Sequence, residues 1–309
     1  MEFLNSKKYP SVFIVILNWN GYEDTKECLN SLVDIDYTNY KIVIVDNGSD
    51  NNDVDKIKEN FPSVKIIWNP ENLGFSGGNN LGIRYCLKSR ADYVLLLNND
   101  TVVEPDFLDL LFSKMVLDNQ IGIAAPQINY YSKPSEVWSA GGKINKIRTS
   151  GFATTNSRIS NSECYVDFVS GCCMLIKKEV IQKVGEFDEK YFLYVEDTDY
   201  CFRVLKAGYK IFVVPESKIY HKVSNSTSKK LSTIPLYYTT RNRLYLARKH
   251  FKGIFYISFI YILSAMIGKS LIWLFVGNVK NIKTVIKSFK DFCIGEMGKK
   301  RENKEGILS

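Results

Sequence analysis

Four short apolar runs mark the first hundred residues, at positions 12–17, 41–45, 64–68 and 93–97. Each is β-branched or leucine-rich and bounded by Asn, Asp, Gly or Pro, the pattern of a strand buried on both faces. Between the first two runs, Cys28, Leu29, Leu32 and Val33 predict one face of an amphipathic helix. Between the third and fourth, Leu81, Ile83 and Leu87 predict another. Alternating strands and helices imply right-handed βαβ units and a parallel, doubly wound α/β sheet. From about 121 to 176 the pattern changes. Runs at 121–126, 143–147 and 166–176 read as strands joined by turns rich in Gly, Ser, Thr and Asn, so the sheet is expected to become mixed. A helix from 178 to about 184 should stop at Gly185, a left-handed cap. A further helix opens around 196–198 and ends at Gly208, with Tyr200, Cys201, Val204 and Leu205 facing inward, and a strand follows at 210–214. There is no internal repeat.

The last patterned stretch, 254–277, is almost wholly apolar apart from Lys269 and a few small polar residues. Its length suffices to cross a bilayer, which takes roughly 20 residues. Both flanks are basic, with Arg248, Lys249 and Lys252 before it and Lys280, Lys283 and Lys287 after. A single crossing would put one cluster on the disfavoured side. Lying in the cytoplasmic headgroup layer, or dipping in and back, keeps both near anionic lipid. A buried helix pair of a soluble domain is the alternative.

Charge changes the picture only at the tail. The chain of 309 residues carries a net +8, with 45% hydrophobic and 24% charged residues. From Arg241 onward there are 14 Lys and Arg against 4 Asp and Glu, so the body before it is slightly acidic. That places a surface partner at the tail and argues against a nucleic-acid groove in the body. Seven cysteines without a CxxC pair fit buried thiols in a reducing compartment better than disulfides or a zinc site. The polar, basic start up to Pro10, followed by a short strand-like run, does not read as a signal peptide. The main body is therefore expected in the cytoplasm.

Candidate chemistry sits where the runs end. Leu95–Leu96–Leu97 stops in Asn98–Asn99–Asp100, and the carboxyl end of a parallel strand is where α/β proteins bind ligands. An acid there can take a divalent cation, or can belong to a turn that caps the next helix, near Pro105. Asp46 closes the second run in Val45–Asp46–Asn47–Gly48–Ser49, which also has the composition of an Asx turn. Asn72 to Asn80 contains Gly74 and the pair Gly77–Gly78 before a helix, allowing close backbone approach to an anionic ligand. Glu196, Asp197 and Asp199 are more acids than helix capping needs, and mutual repulsion can raise one toward the range of a general base. His221 is a metal ligand or a satisfied polar residue. Arg241 and Arg243 are candidates for a diphosphate clamp or an acceptor-lipid phosphate contact, or are plain helix-surface charges.

Taken in order, Asn18–Trp19–Asn20–Gly21, Val45 to Ser49, Glu71 to Asn80, Leu97 to Asp100 and Val195 to Asp199 closely resemble the family-two inverting glycosyltransferases of GT-A fold, and among them the bacterial rhamnosyltransferase-like subgroup. The resemblance covers about 10–250; Gly295–Glu296–Met297–Gly298 fits it more loosely. It implies a GT-A-type doubly wound mixed sheet, with a nucleotide-sugar half at about 10–120, an acceptor half at about 121–250, and apolar, basic membrane-associating helices at 251–309. It implies that Asn18, Asp46, Gly77, Gly78, Asn79, Asn99 and Glu196 line the nucleotide sugar, with Asp46 at the base or ribose. Asp100 would bind Mg²⁺ or Mn²⁺ on the diphosphate, with His221 as an occasional further ligand, and Asp197 would be the catalytic base. Two departures stand out. Asn98 and Asn99 replace the first acid of the family's metal motif, and Gly78 stands where other members carry an Arg that reads the base. The implied partners are a nucleotide-sugar donor, a lipid-linked or growing glycan acceptor, and the inner face of the cell membrane. The implied donor is dTDP-L-rhamnose, with a UDP-hexose as the alternative. A nucleotidyltransferase would carry a Gly-rich, basic loop after the first strand, where Asn18 to Gly21 stands instead; an inactive membrane-bound scaffold is the other rival.

Overall fold

Strand β1 (Val12–Asn18) lies at the centre of the first half of the sheet, and alternate residues divide between two cores. Ile14 and Ile16 pack on one face with Leu29, Leu32, Ile44 and Ile57. Phe13 and Val15 pack on the other with Val43, Val45 and Ile83. Period-2 alternation with both faces apolar makes this a covered, parallel strand. The computed structural model describes residues 9–154, 164–223 and 233–301; the basic start at 1–8 and part of the turn region after 147 lie outside them.

The parallel strands β2 (Tyr40–Asn47), β3 (Lys65–Asn69) and β4 (Tyr93–Asn98) join β1 in the order β3-β2-β1-β4. Register sets Asn18 opposite Asp46, and Leu17 opposite Asn98, so these polar residues share one level at the carboxyl edge. Helix α1 (Tyr22–Val33) buries Thr25, Cys28, Leu29 and Leu32. Val33, expected on that face, is 65% exposed, because the inward stripe begins a turn earlier at Thr25. Helix α2 (Asp53–Asn60) was not foreseen: its only buried apolar side chain is Ile57, too little for a periodic signal. Helix α3 (Gly74–Lys88) starts inside the glycine-rich run expected to be a loop. A Cβ on Gly78 would lie 2.4 Å from Leu17 Cδ1, and one on Gly82 2.3 Å from Val15 Cγ1. These glycines let the helix approach β1.

Short β5 (Thr101–Val103) and helix α4 (Phe107–Leu117) follow, then β6 (Ile121–Tyr130), β7 (Lys133–Ser139), the hairpin β8 (Gly142–Asn145) with β9 (Ser150–Ala153), and β10 (Tyr165–Val166). The run at 166–176, expected as one strand, breaks at Gly171–Cys172 before β11 (Cys173–Lys177). Strand β11 is antiparallel to β4, with Cys173 opposite Leu97. Its beginning therefore reaches the same edge as the end of β4, and the sheet is mixed. Helices α5 (Lys178–Val184) and α6 (Glu196–Lys206) cover it, and Gly185 ends α5 at φ 85°. Strand β12 (Lys210–His221) runs beyond the expected 214 after a register shift between Val214 and Lys218. It pairs with β6 and, at its end, with β5.

Helix α7 (Thr233–His250) packs on α8 (Phe255–Phe275) and α9 (Val279–Cys293) around Leu244, Ile262, Met266, Val285 and Phe292. A division after 250 falls between α7 and α8. Only 17% of the most apolar window of α8 is buried, so the helix turns most of its apolar surface outward while Ile262 and Met266 pack inward. Six of the seven cysteines are buried, as their apolar settings implied; burial pushes the Cys28 thiol up to about 12.

Candidate active site

At the carboxyl edge of β1 and β2 a closed polar network forms. Asn18 Nδ2 donates to Asp46 Oδ2 (2.9 Å) and to Asp53 Oδ2 (3.1 Å). Ser49 donates its hydroxyl to Asp46 Oδ2 (2.7 Å) and its N–H to Oδ1 (3.2 Å). Thr25 donates to Asn18 Oδ1 (2.7 Å), and Asn99 Nδ2 donates in turn to Thr25 Oγ1 (3.0 Å). Asn18, Asp46 and Asp53 are all buried. Asp53 Oδ1 has no hydrogen-bond partner, an orphan acceptor within this edge.

One strand further along, β5 and β12 set Thr101 opposite His221. That pairing brings His221 Nε2 to 3.1 Å from both carboxylate oxygens of Asp100. The imidazole is 9% exposed and packs edge-on against Trp138 at 4.6 Å. Asp100 is partly exposed, and His221 Nδ1 is buried without a partner. Among the described residues no group of three or more His, Cys, Asp or Glu could hold a metal. The pair nonetheless suits Mg²⁺ or Mn²⁺ bound with a diphosphate: such ions keep waters and take one or two protein ligands beside substrate phosphates, and imidazole is acceptable to Mn²⁺.

The start of α6 lies at the same edge. Asn98 N–H donates to Cys172 O (2.9 Å), and the preceding Gly171 N–H donates to Asp197 Oδ2 (3.2 Å). Two backbone hydrogen bonds thus connect the strand tip carrying Asp100 to the carboxylate of Asp197. The N–H and hydroxyl of Thr198 donate to Asp197 Oδ1 at 2.7 and 3.3 Å. Glu196 is 6% exposed, and its Oε2 has no partner. Burial, and then the neighbouring Asp197 charge, push Glu196 well above the ordinary carboxylate range. Burial raises Asp197 too, but three donors oppose it. Burial and repulsion thus raise Glu196, with its Oε2 unpartnered, further than Asp197, where the Gly171 and Thr198 donors oppose the rise. Asp199 differs: burial would raise it, but the hydrogen bond from His250 and the charges of Arg203 and Lys249 hold it well below the usual range. It ties α6 to α7 through His250 (2.7 Å) and Lys249 (2.8 Å).

Residues 11–185 match the family model described as glycosyl transferase family 2. The chain belongs to glycosyl transferase family 2. The dTDP-rhamnosyl transferase RfbF of Shigella flexneri is 28% identical to this family-two chain over 78% of its length and 81% of the relative. An N-acetylglucosaminyl-diphospho-decaprenol L-rhamnosyltransferase of Mycobacterium tuberculosis is 24% identical over 68% and 75%. Among solved structures, the mannosyltransferase PcManGT of Pyrobaculum calidifontis in complex with GDP-Man and Mn²⁺ aligns with a TM-score of 0.59 at 13% identity, covering 94% of this chain and 89% of that one. The GT-A-type fold is therefore shared.

Within this family-two fold the candidate residues separate. Asn18, Asp46 and Asn99 belong to the strand-tip network; Asp100 meets His221; Glu196 and Asp197 stand together. Asn79 is buried, and its amide donates to Phe75 O (2.9 Å) inside α3, away from an open loop. A Cβ on Gly77 would meet Leu73, and one on Gly78 would meet Leu17 and Asn47. Arg241 is not a free clamp. It is 1% exposed, and its guanidinium donates to Gly298 O (2.8 Å), Glu296 O (3.3 Å) and Tyr237 Oη (3.2 Å). Arg243 Nε donates to Arg148 O (2.7 Å) in the β8–β9 turn. Both arginines hold backbone. Asp53 and Asn242 escaped the sequence reading: the first lies in a helix with no periodicity, and the second beside two arginines that drew the attention.

Proposed function

We propose that the protein is an inverting, metal-dependent glycosyltransferase that moves L-rhamnose from dTDP-L-rhamnose to a hydroxyl of a lipid-linked glycan. The observation that carries this reading is the common edge: the Asp100–His221 pair and Asp197, linked through Asn98, Cys172 and Gly171. Two rhamnosyltransferase names among the relatives, one with a decaprenol-linked acceptor, support the donor and acceptor. Asp46 and Asn18 would orient the nucleoside, and Asp100 with His221 would hold Mg²⁺ or Mn²⁺. That ion, when bound, supplies positive charge opposite the departing diphosphate. Asp197 takes the proton of the acceptor hydroxyl as its oxygen bonds to the anomeric carbon. The bond from that carbon to the diphosphate oxygen breaks, and the nucleoside diphosphate leaves with inversion. Glu196 is pushed well above the ordinary carboxylate range, which leaves Asp197, with its three donors, as the better-stabilised carboxylate of the pair.

The exposed apolar face of α8, including Tyr256, Ile260, Leu271 and Phe275, supports docking on the inner face of the cell membrane. Exposed Lys269, Lys280 and Lys283 flank it, each favouring anionic lipid by about 1 kcal/mol. The working place is then the cytoplasmic membrane surface, where a lipid-linked acceptor presents its glycan.

Nucleoside-diphosphate release from a panel of sugar nucleotides with Mg²⁺ or Mn²⁺ tests the chemistry. dTDP from dTDP-L-rhamnose is expected. UDP release alone would move the donor to a UDP-hexose, and no release or thermal shift with any nucleotide would favour a non-catalytic scaffold. For the membrane, Ile260→Glu combined with Leu271→Glu should abolish cosedimentation of the full chain with anionic phospholipid vesicles. Undiminished cosedimentation would remove the docking assignment.

A further inference from the structure

The turn that delivers Glu196 and Asp197 is strained. Phe192, Tyr194 and Val195 have φ of 57°, 65° and 77°, the left-handed region that L side chains avoid and that a β-branched residue such as Val195 almost never adopts. Such a turn persists only when its surroundings over-determine it. Here the surroundings converge on one side chain. Asn242 of α7, fully buried, sets its NH₂ within hydrogen-bonding distance of three carbonyls of this turn, Tyr191 O (2.8 Å), Leu193 O (2.9 Å) and Tyr194 O (2.8 Å), which share its two protons. Three oxygens facing one group admit only its NH₂ end, which fixes the amide orientation. Asn242 Oδ1 in turn accepts from Arg241 Nε (3.2 Å), and Arg241 is held by Glu296 O and Gly298 O. From the other side, Phe75 N–H donates to Phe192 O (2.7 Å), so the turn is gripped between α3 and α7.

We infer that Asn242 is a positioning residue for the transfer reaction: it holds the 191–195 turn in its left-handed form and thereby sets where the Asp197 carboxylate stands. It touches no reacting atom. The inference rests on Asp197 being the base, so the test keeps the two apart. Donor turnover and KM are measured in the full chain for Asp197→Asn, Asn242→Leu, Val195→Gly and the pair Asn242→Leu/Val195→Gly. Leu fills the volume of Asn without a donor, while Gly accepts a left-handed φ without penalty.

Asn242→Leu should lower kcat about 30-fold or more with donor KM within about 3-fold, since a small displacement of a catalytic group costs that much or more. In the Val195→Gly background the loss should shrink by at least about 5-fold, because the β-branched and most strained of the turn's three left-handed residues is then relieved and the clamp has less to hold. Retained turnover in Asp197→Asn would defeat the base assignment. A dead Asp197→Asn beside an Asn242→Leu within 3-fold of wild type would defeat the positioning role alone. An unchanged Asn242→Leu loss in the glycine background would also defeat it, assigning the residue to general stability. Should Asn242→Leu not fold, Asn242→Gln, which moves the amide by one carbon, is read by the same cycle.

Discussion

At the strand tips, Asp46 and Asp53 are buried among neutral donors: an amide, a hydroxyl and backbone N–H groups. At α6, Asp199 is buried among the cations of Arg203 and Lys249 and the imidazole of His250, while Glu196, three positions earlier, has an oxygen facing nothing. Both regions remove carboxylates from water, yet with different results. Neutral donors satisfy a buried carboxyl group without a fixed counter-ion. Cations lock a carboxylate into structure and take it out of chemistry. An absent partner pushes a carboxyl's pKa upward. The three acids of the α6 start, one turn apart, thus follow three different courses because they face three different neighbours.

The contrast breaks most sharply at Asp197. Asp197→Asn should cut turnover by about 10²–10⁴-fold, the usual worth of a general base, while nucleotide affinity by calorimetry stays within about 3-fold. Because burial raises the wild-type Asp197, turnover should fall on acidification already above pH ~4, the ordinary carboxylate value. Asp199 should instead be a stability residue. Asp199→Ala removes the buried carboxylate that Arg203, Lys249 and His250 share and should cost about 3–5 kcal/mol in denaturant unfolding. Its folded pKa is depressed, so this stabilisation is complete above the unfolded value of about 3.9 and is lost as pH falls through the folded one. The variant should therefore show a shallower loss of stability below pH ~4 than wild type; equal slopes would refute the anchor. Asn18→Ala removes a donor shared by Asp46 and Asp53 and should cost about 1–3 kcal/mol, with weakened nucleotide binding. Smallest of all, Arg243→Ala should change donor KM by less than about 2-fold, and a larger rise would restore its role as a phosphate clamp.

The parallel half was legible because its strands are apolar on both faces and end in acids and amides; register then delivers Asn18, Asp46 and Asn98 to one level with no further information. The Asp100–His221 meeting was legible through the family resemblance alone and not in the pattern of the residues. It depends on β5, three residues long, and on a register shift in β12, neither of which leaves a periodic trace. The glycine run misled for a related reason. Glycine marks close approach, but the sequence does not say whether to a ligand or to Leu17 and Val15. Arg241 misled because an arginine on a helix reads as surface, whereas here backbone carbonyls from fifty-odd residues away saturate it.

Those carbonyls belong to Glu296 and Gly298, and the Gly298 N–H also donates to Lys190 O (2.8 Å), just before the strained turn. Cutting the chain near residue 250 to obtain a better-behaved fragment would strip away this brace together with the greasy helix. Such a shortened enzyme would lose turnover for a mechanical reason, even in a detergent-free tube with a water-soluble acceptor. Point charges on the outer face of α8 are the cleaner instrument for separating where the protein works from how it works.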